Sequence, residues 1–240
     1  MVGIGNFFFK YRNFLFIILY LALFIPSPQL FTEQVIGEKY FIFPIVLGLL
    51  ITIAGQAIRG ATIGLAYIAR GGRDKKVYAD GLVTTGIFSH CRNPLYVGNI
   101  FMLAGVGILV NSLVYTFVVL PVFLFIYSAI VRAEEFYLRN KFGSGFDDYC
   151  RNVNRWWPKL NGLGATFTSM EFKWRRWILK EYNTQYIWLT GIAIILLFYY
   201  PQLTGYNDNL RNILATVFIM LLFALYMWVK YLKKSKKMVA

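Results

Sequence analysis

The chain has 240 residues, of which 58% are hydrophobic, 19% aromatic and 15% charged. Soluble domains usually carry roughly 25% charged residues, so the composition excludes an ordinary soluble domain and predicts an integral membrane protein. The formal net charge is +14, which alone is compatible with nucleic-acid binding, but the distribution of the lysines and arginines along the chain argues against that class.

Six blocks of apolar residues have about the length of a bilayer crossing, which is roughly 20 residues. The third and fourth blocks are separated only by Asn111-Ser112, which predicts a helical hairpin. We therefore expect an all-α, polytopic transmembrane helical bundle of about six spans. The predicted spans are Phe14–Leu30, Tyr40–Arg59, Tyr96–Ser112, Leu113–Val131, Tyr186–Tyr200 and Ile213–Lys230.

Lysine and arginine are distributed unevenly between the predicted loops. If the N-terminus lies in the cytoplasm, almost all of them face the cytoplasm, and only Lys39 and Arg211 lie in loops on the far side. Positive residues favour the cytoplasmic side, so we predict an integral, multi-pass protein with both termini in the cytoplasm. The positive charge is then expected to contact anionic lipid of the bilayer, and no nucleic-acid partner is expected.

Two further features concern a surface segment and the cysteines. The segment Glu171–Lys180 mixes aromatic and basic residues and predicts an interfacial amphipathic helix, with a plain juxtamembrane linker as the alternative. Cys91 and Cys150 are far apart in the sequence, and the chain contains no Cys-x-x-Cys and no His/Cys cluster. We therefore expect no metal site.

The first polar stretch with possible chemistry runs from Gly81 to Gly98 and contains Arg92-Asn93-Pro94. Asn is a favoured N-cap and Pro is favoured at the first helical position, so a helix is predicted to begin here. The plain interpretation is that this helix is the third span. A helix N-terminus beside an arginine also favours an anion, so a ligand carboxylate or phosphate is a second interpretation.

The second polar stretch runs from Arg132 to Gly143, where the fourth span leaves the membrane. Glu135 has Arg139 four residues later, which predicts an ion pair on one helix face. Glu134 has no basic residue at the corresponding positions. A carboxylate at a membrane boundary without a local partner indicates a functional group, and a ligand cation is the candidate partner.

Both stretches resemble the superfamily of isoprenylcysteine carboxyl methyltransferases and phospholipid methyltransferases. The resemblance is carried by L-V-T-T-G-x-F followed by R-N-P-L-Y-V-G, and then by R-x-E-E-x-x-L, F-G-x-x-F-x-x-Y and V-x-R-x-x-P. It covers roughly residues 45–160. These families are integral membrane enzymes, and the resemblance implies S-adenosylmethionine (S-adenosyl-L-methionine) as the cofactor, bound in a pocket at the cytoplasmic face.

The resemblance also implies site residues and a division of the chain. Arg92, Arg132 and Glu135 are the candidates for a catalytic role, with Arg132 orienting an anionic substrate. The family most often has His where this chain has Asn93, which removes a titratable group. We divide the chain into an N-terminal span and loop (residues 1–39), a methyltransferase core (40–160) and an interfacial helix with two C-terminal spans (161–240). The implied cofactor contacts are Leu82, Val83, Phe88, Asn93, Pro94, Tyr96 and Glu134.

The predicted function is methyl transfer from S-adenosylmethionine to a lipid or lipidated substrate at the cytoplasmic membrane face. One alternative is an NADPH-dependent membrane reductase of the sterol-reductase type, a class that tends to carry Arg-His-x-Asn-Tyr at the position of Arg92. Pro94 and the Glu134-Glu135 pair favour the methyltransferase. The other alternative is a membrane scaffold or transporter subunit. A transporter usually has polar residues or helix breaks near the bilayer midplane, which most of the predicted spans lack.

Overall fold

The computed structural model describes residues 1–66, 72 and 76–239. The structure is 75% helical, and the described residues contain isolated bridges such as the antiparallel pair Gln29 and Ser112 but no strand. The prediction of an all-α, polytopic protein is confirmed. The α-helices of the described residues are α1 (Val2–Leu21), α2 (Glu33–Ile36), α3 (Ile42–Leu65), α4 (Pro94–Leu109), α5 (Leu120–Phe142), α6 (Ser144–Asn152), α7 (Leu163–Ser169), α8 (Trp174–Tyr199) and α9 (Asp208–Lys234).

Each of the six predicted spans lies largely within a helix. Among the described residues, four helical segments are long and apolar enough to cross a membrane, namely Val2–Phe24, Ile42–Leu65, Tyr115–Phe142 and Asp208–Lys234. Helix α4 is apolar but shorter. Helix α8 has 26 residues, and its first turns carry several charged side chains. The helices therefore agree with the prediction in order, whereas four of the six predicted spans correspond to helices that are long and apolar enough to cross a membrane.

Three helix boundaries differ from those predicted. The first helix begins at Val2 instead of Phe14 and its last helical turn ends at Phe24, because Pro26 cannot continue a helix. Helix α5 continues past Val131 to Phe142, so the second polar stretch lies on the helix. Helix α8 begins at Trp174, so the helical part of the predicted interfacial segment is the start of α8 and not a separate helix.

One end of the bundle brings the short connections together. The backbone N–H of Leu113 donates to the carbonyl of Pro28 at 3.0 Å, which joins the turn before α5 to the segment after α1. The hydroxyl of Tyr199 donates to the carbonyl of Leu23 at 3.1 Å, which joins the end of α8 to the same region. The longer connections, residues 66–93 and 143–173, start or finish at the other ends of these helices.

Helices α3 and α4 touch through their backbones at two glycine pairs. A Cβ atom on Gly105 would lie 2.4 Å from the backbone nitrogen of Thr52 and 2.7 Å from the carbonyl oxygen of Gly48. A Cβ atom on Gly55 would lie 2.6 Å from the carbonyl oxygen of Gly98. Small residues permit such close helix packing in membranes, where the hydrophobic effect does not drive helices together. These glycines therefore fix the position of α4 against α3.

Helix α1 packs onto α5 in a similar way. A Cβ atom on Gly5 would lie 2.1 Å from the carbonyl oxygen of Ala129, so only glycine fits there without a shift of the backbone. One helical turn later, Phe9 is buried and packs against Ile126 and Ile130 of α5. The first turns of α1 are consequently held against the middle of α5.

The cytoplasmic location of the end with the long connections stays a prediction. Of its basic residues, Arg70, Arg73 and Lys75 lie outside the described residues, whereas the short connections at the other end have few positive charges. We expect Asp208→Cys, in a Cys150→Ser background, to react with an impermeant thiol reagent only from the non-cytoplasmic side. Glu171→Cys is the control and should react from the cytoplasm. Reaction of Asp208→Cys from the cytoplasmic side alone would contradict the six-span orientation.

Candidate functional site

A cavity of about 460 Å³ lies at the end of α4 that is remote from the short connections. This volume falls within the range of roughly 300–1,000 Å³ that is usual for small-molecule sites. Its walls come from α1, α3, α4, α5 and α6 and from the segment 77–83 before α4. The structure brings all of the implied cofactor contacts to this cavity, namely Leu82, Val83, Phe88, Asn93, Pro94, Tyr96 and Glu134.

Glu134 is a carboxylate of the cavity without a basic partner. The hydroxyl of Tyr96 donates a hydrogen bond of 2.8 Å to its Oε1, which joins α4 to α5. The ring of Tyr96 in turn lies 5.1 Å from that of Tyr127, centroid to centroid. In the part of the chain that the structure describes, Glu134 forms no ion pair with a lysine or arginine. Its negative charge is therefore available to a cation inside the cavity.

Glu135 does not line the cavity and binds two arginines. Its carboxylate accepts two hydrogen bonds from Arg155, at 2.9 and 2.6 Å, and lies 3.2 Å from Nη2 of Arg92. The hydrogen bonds that Arg155 donates to Glu135 raise the pKa of the Arg155 guanidinium. The predicted pair with Arg139 is wrong, because Arg139 binds Asp147 of α6 at 2.7 Å. Sequence spacing predicted a partner on the same helix, whereas the actual partner follows α6.

Asn93 and Pro94 begin α4 as predicted, with Asn93 at the N-cap and Pro94 in the first turn. The predicted use of the Asn93 side chain is wrong, because it caps no helix N–H. Its Nδ2 instead donates to the carbonyl of Arg155 at 3.1 Å. The backbone N–H of Arg92 donates to the carbonyl of Asn154 at 2.9 Å. The start of α4 is thus tied to the segment after α6 that also supplies Arg155.

Two of the three predicted catalytic residues do not line the cavity. Arg92 does line it, but Glu135 is buried behind the wall, and Arg132 is exposed on the surface of α5. Arg132 forms no hydrogen bond or ion pair with the described residues. The only histidine, His90, also lies elsewhere, with its ring nitrogens bonded to the carbonyl of Lys159 at 2.6 Å and to Thr166 at 2.8 Å.

The structure adds a buried ion pair that the sequence did not reveal. Arg59 of α3 donates to both carboxylate oxygens of Glu181 of α8, at 2.9 and 2.8 Å, and also to the side chain of Asn99. Arg59 lines the cavity, while Glu181 has no exposed surface. The only signal in the sequence was an arginine at the end of an apolar span. Its partner is 122 residues away and lies outside the family resemblance.

Helix α1 also supplies cavity residues that the motifs did not indicate. Phe9 and Arg12 belong to α1, which packs against α5, and both line the cavity. The guanidinium carbon of Arg12 lies 4.6 Å from the centroid of the Phe9 ring. In the sequence, Arg12 is a single basic residue near an apolar run and carries no pattern that points to a site.

The fold is that of a polytopic helical membrane protein, and a cavity of small-molecule size lies between its helices. Residues 43–145 match the phospholipid methyltransferase family. This matched segment, which is less than half of the chain, resembles the superfamily of integral membrane methyltransferases that includes the isoprenylcysteine carboxyl and phospholipid methyltransferases, as the motifs predicted. No solved structure matches the chain.

Two curated relatives are similar over a comparable stretch. The chain is 33% identical over 152 residues to the nickel-cobalt-cadmium resistance protein NccN of Alcaligenes xylosoxydans xylosoxydans. It is 30% identical over 155 residues to the cobalt-zinc-cadmium resistance protein CzcN of Cupriavidus metallidurans. The matches cover 61% and 62% of this chain and 66% of each relative, so the chain spans slightly less than two thirds of the length of either.

The buried pair of Arg59 and Glu181 predicts a large effect of neutralising one partner. We expect Glu181→Gln to destabilise the protein by about 3–5 kcal/mol, because it leaves the Arg59 charge buried without a counter-charge. Glu171→Gln is the matched control, since Glu171 forms an exposed pair with Lys173 that is worth at most about 1 kcal/mol. Thermal unfolding in detergent measures both changes. Equal melting temperatures of the two variants would contradict a structural role of the buried pair.

Proposed function

We propose that the protein transfers a methyl group from S-adenosylmethionine to a lipid or lipidated acceptor at the cytoplasmic membrane face. The observation that carries this proposal is Glu134, a carboxylate without a basic partner in a cavity that collects all of the family's cofactor positions. S-adenosylmethionine is a cation at its sulfur and at its amino group. A charged ligand of this kind supplies a counter-charge in direct contact with Glu134, which no described lysine or arginine does.

The cavity walls fit the other parts of this cofactor. Leu82, Val83 and Phe88 give an apolar surface on one side, which suits the uncharged part of the molecule. Tyr96 donates to Glu134 and holds the carboxylate in one orientation. The amide nitrogen of Asn93 is committed to Arg155, so its oxygen remains to accept a hydrogen bond from a ligand. Pro94 also lines the cavity.

The protein contributes to this reaction mainly by alignment. When bound, S-adenosylmethionine supplies a methyl group whose bond to sulfur breaks, with the electron pair staying on sulfur, as a lone pair of the acceptor bonds the carbon. Holding the methyl donor and the acceptor in line within one complex removes much of the entropy cost of bringing them together. This can lower the activation free energy by several kcal/mol. Glu134 and Tyr96 fix one reactant, and the rigid contact between α3 and α4 fixes the walls.

The predicted catalytic residues take different positions in this proposal. Arg92 lines the cavity, and Glu135 acts through Arg92 and Arg155 as a positioning residue, because its carboxylate contacts those two side chains. Arg132 is exposed on α5, where its guanidinium is free to meet an anionic headgroup at the membrane surface. The acceptor would reach the cavity from the bilayer, since lipid surrounds the apolar outer faces of the helices.

A second candidate function comes from the relatives, whose names describe resistance to nickel, cobalt, zinc and cadmium. We propose that any contribution of this chain to metal tolerance depends on the same cavity. In a metal-sensitive bacterial host, the parent and Asp148→Asn should then improve growth on cobalt or cadmium, whereas Glu134→Gln should not. Equal protection by Glu134→Gln would separate metal tolerance from the cavity, and no protection by the parent would refute this candidate.

The main test of the methyltransferase proposal uses two carboxylate-to-amide changes. Losing a hydrogen-bonded charge pair in a partly buried site costs roughly 2–5 kcal/mol, so Glu134→Gln should weaken binding of S-adenosylmethionine by about 30-fold or more. Asp148→Asn changes an exposed carboxylate that pairs with Arg151 outside the cavity, and it should bind like the parent. Calorimetric titration of the purified proteins measures both. Binding of NADPH without binding of S-adenosylmethionine would instead favour the reductase.

A further inference from the structure

Helix α1 contributes to the cavity although it lies outside the residues that match the family. Its position is set by packing, because the close contact of Gly5 with Ala129 and the burial of Phe9 hold its first turns against α5. Arg12 follows Phe9 by three residues, so both lie on the same side of α1. The guanidinium of Arg12 is therefore a fixed feature of the cavity wall.

The charges of the cavity show why Arg12 differs from the other arginines. Three guanidinium groups line the cavity, and two of them have carboxylate partners: Arg59 binds Glu181, and Arg92 lies beside Glu135. Arg12 contacts the ring of Phe9 and forms no ion pair within the described residues. Arg92 was the predicted site for an anion, but its charge is shared with Glu135. Arg12 is thus the cavity cation that forms no direct ion pair with a described carboxylate, although its charge and that of Glu134 act on each other electrostatically.

Glu134 is the complementary group on α5. The cavity consequently holds one carboxylate and one guanidinium that act on each other electrostatically but form no direct ion pair with each other or with another described residue. Charged groups in membrane proteins are usually paired, because an isolated charge in a region of low dielectric is unfavourable. A ligand that carries both a cation and an anion would satisfy both groups at once.

We propose that Arg12 forms an anion-binding subsite of this cavity, and that it holds a carboxylate or phosphate group of a bound ligand. This inference rests on the proposed function. The two candidate sources of the anionic group are the carboxylate of S-adenosylmethionine and the phosphate of a lipid acceptor. A guanidinium suits both, because its planar donors can form two parallel hydrogen bonds to either group. The subsite makes α1 part of the binding site.

The test compares ligands that differ only in the anionic group. Purified full-length parent and Arg12→Gln are titrated with S-adenosylhomocysteine and its decarboxylated counterpart, and with a short-chain phosphatidic acid and the matching diacylglycerol. We expect Arg12→Gln to weaken binding of one anionic ligand by about 10- to 100-fold, since hydrogen bonds to charged groups are the strong ones. Binding of its counterpart without the anion should stay within about threefold. The pair that responds identifies the source of the anion.

Two further variants separate binding from folding. Lys10→Gln removes a positive charge from the exposed face of the same helix and should leave all four affinities unchanged. Arg12→Lys keeps the charge but loses the planar donors, so its loss of affinity should be smaller than that of Arg12→Gln. Melting temperatures of the three variants are compared with that of the parent.

Several outcomes overturn the subsite. Equal loss for a ligand and its counterpart without the anion would mean that Arg12 only supports the structure. No change in either pair would mean that Arg12 only marks the membrane interface. If the parent does not bind S-adenosylhomocysteine, the proposed function fails, while the phosphatidic acid and diacylglycerol pair still tests Arg12. A parent that binds none of the four ligands refutes both proposals.

Discussion

Charged side chains inside a helical membrane bundle have to be paired, because the bilayer offers them no water and the desolvation of an isolated charge is unfavourable. This constraint organises the site end of the protein. Arg59 is held by Glu181 across α3 and α8, and Glu135 is held by Arg155 and Arg92 across α5 and the segments beside α4 and α6. The same constraint makes Glu134 and Arg12 informative, since both line the cavity and neither forms a direct ion pair within the described residues.

The ion pair between Arg59 and Glu181 joins the segment that matches the family to a helix that lies beyond it. Arg59 lies in the matched segment and lines the cavity, whereas Glu181 lies in α8, beyond that segment. Neighbouring polar contacts join the same two helices: Gln185 donates to Gln56 at 3.0 Å, and Trp188 donates to Thr52 at 2.8 Å. Helix α8 therefore supports a wall of the site. Helix α1 also lies outside the matched segment, but it contributes to the site directly, because Arg12 lines the cavity.

The polar contacts between α3 and α8 also bear on the alternatives considered from the sequence. Polar groups inside a bundle are expected in transporters, and the sequence suggested few of them. In the structure, Gln56, Gln185, Thr52 and Trp188 bond to one another in pairs and do not line the main cavity. The residues that do line it gather the family's cofactor positions at one end of the bundle, which favours an enzyme that binds a soluble cofactor there.

The sequence by itself determined the helices and the residues of the motifs. Apolar blocks gave the order of the helices, since a membrane span depends only on local composition, and Asn93-Pro94 gave the start of α4, since capping is also local. The resemblance named the cofactor positions that the cavity brings together. The positions of helix ends were less accurate, because Pro26 ends α1 early and α5 continues into the polar stretch.

The partners of the charges were decided only by the tertiary structure. Local spacing predicted Arg139 for Glu135, but the side chain reaches Arg155, 20 residues away, and Arg139 turns to Asp147. Nothing local could predict Glu181 as the partner of Arg59, or Arg12 as a wall of the cavity. Those contacts depend on how closely the helices approach, which glycines such as Gly5 and Gly105 set through backbone contacts. Helix formation is a local property of the sequence, whereas the pairing of charges between helices follows from their packing.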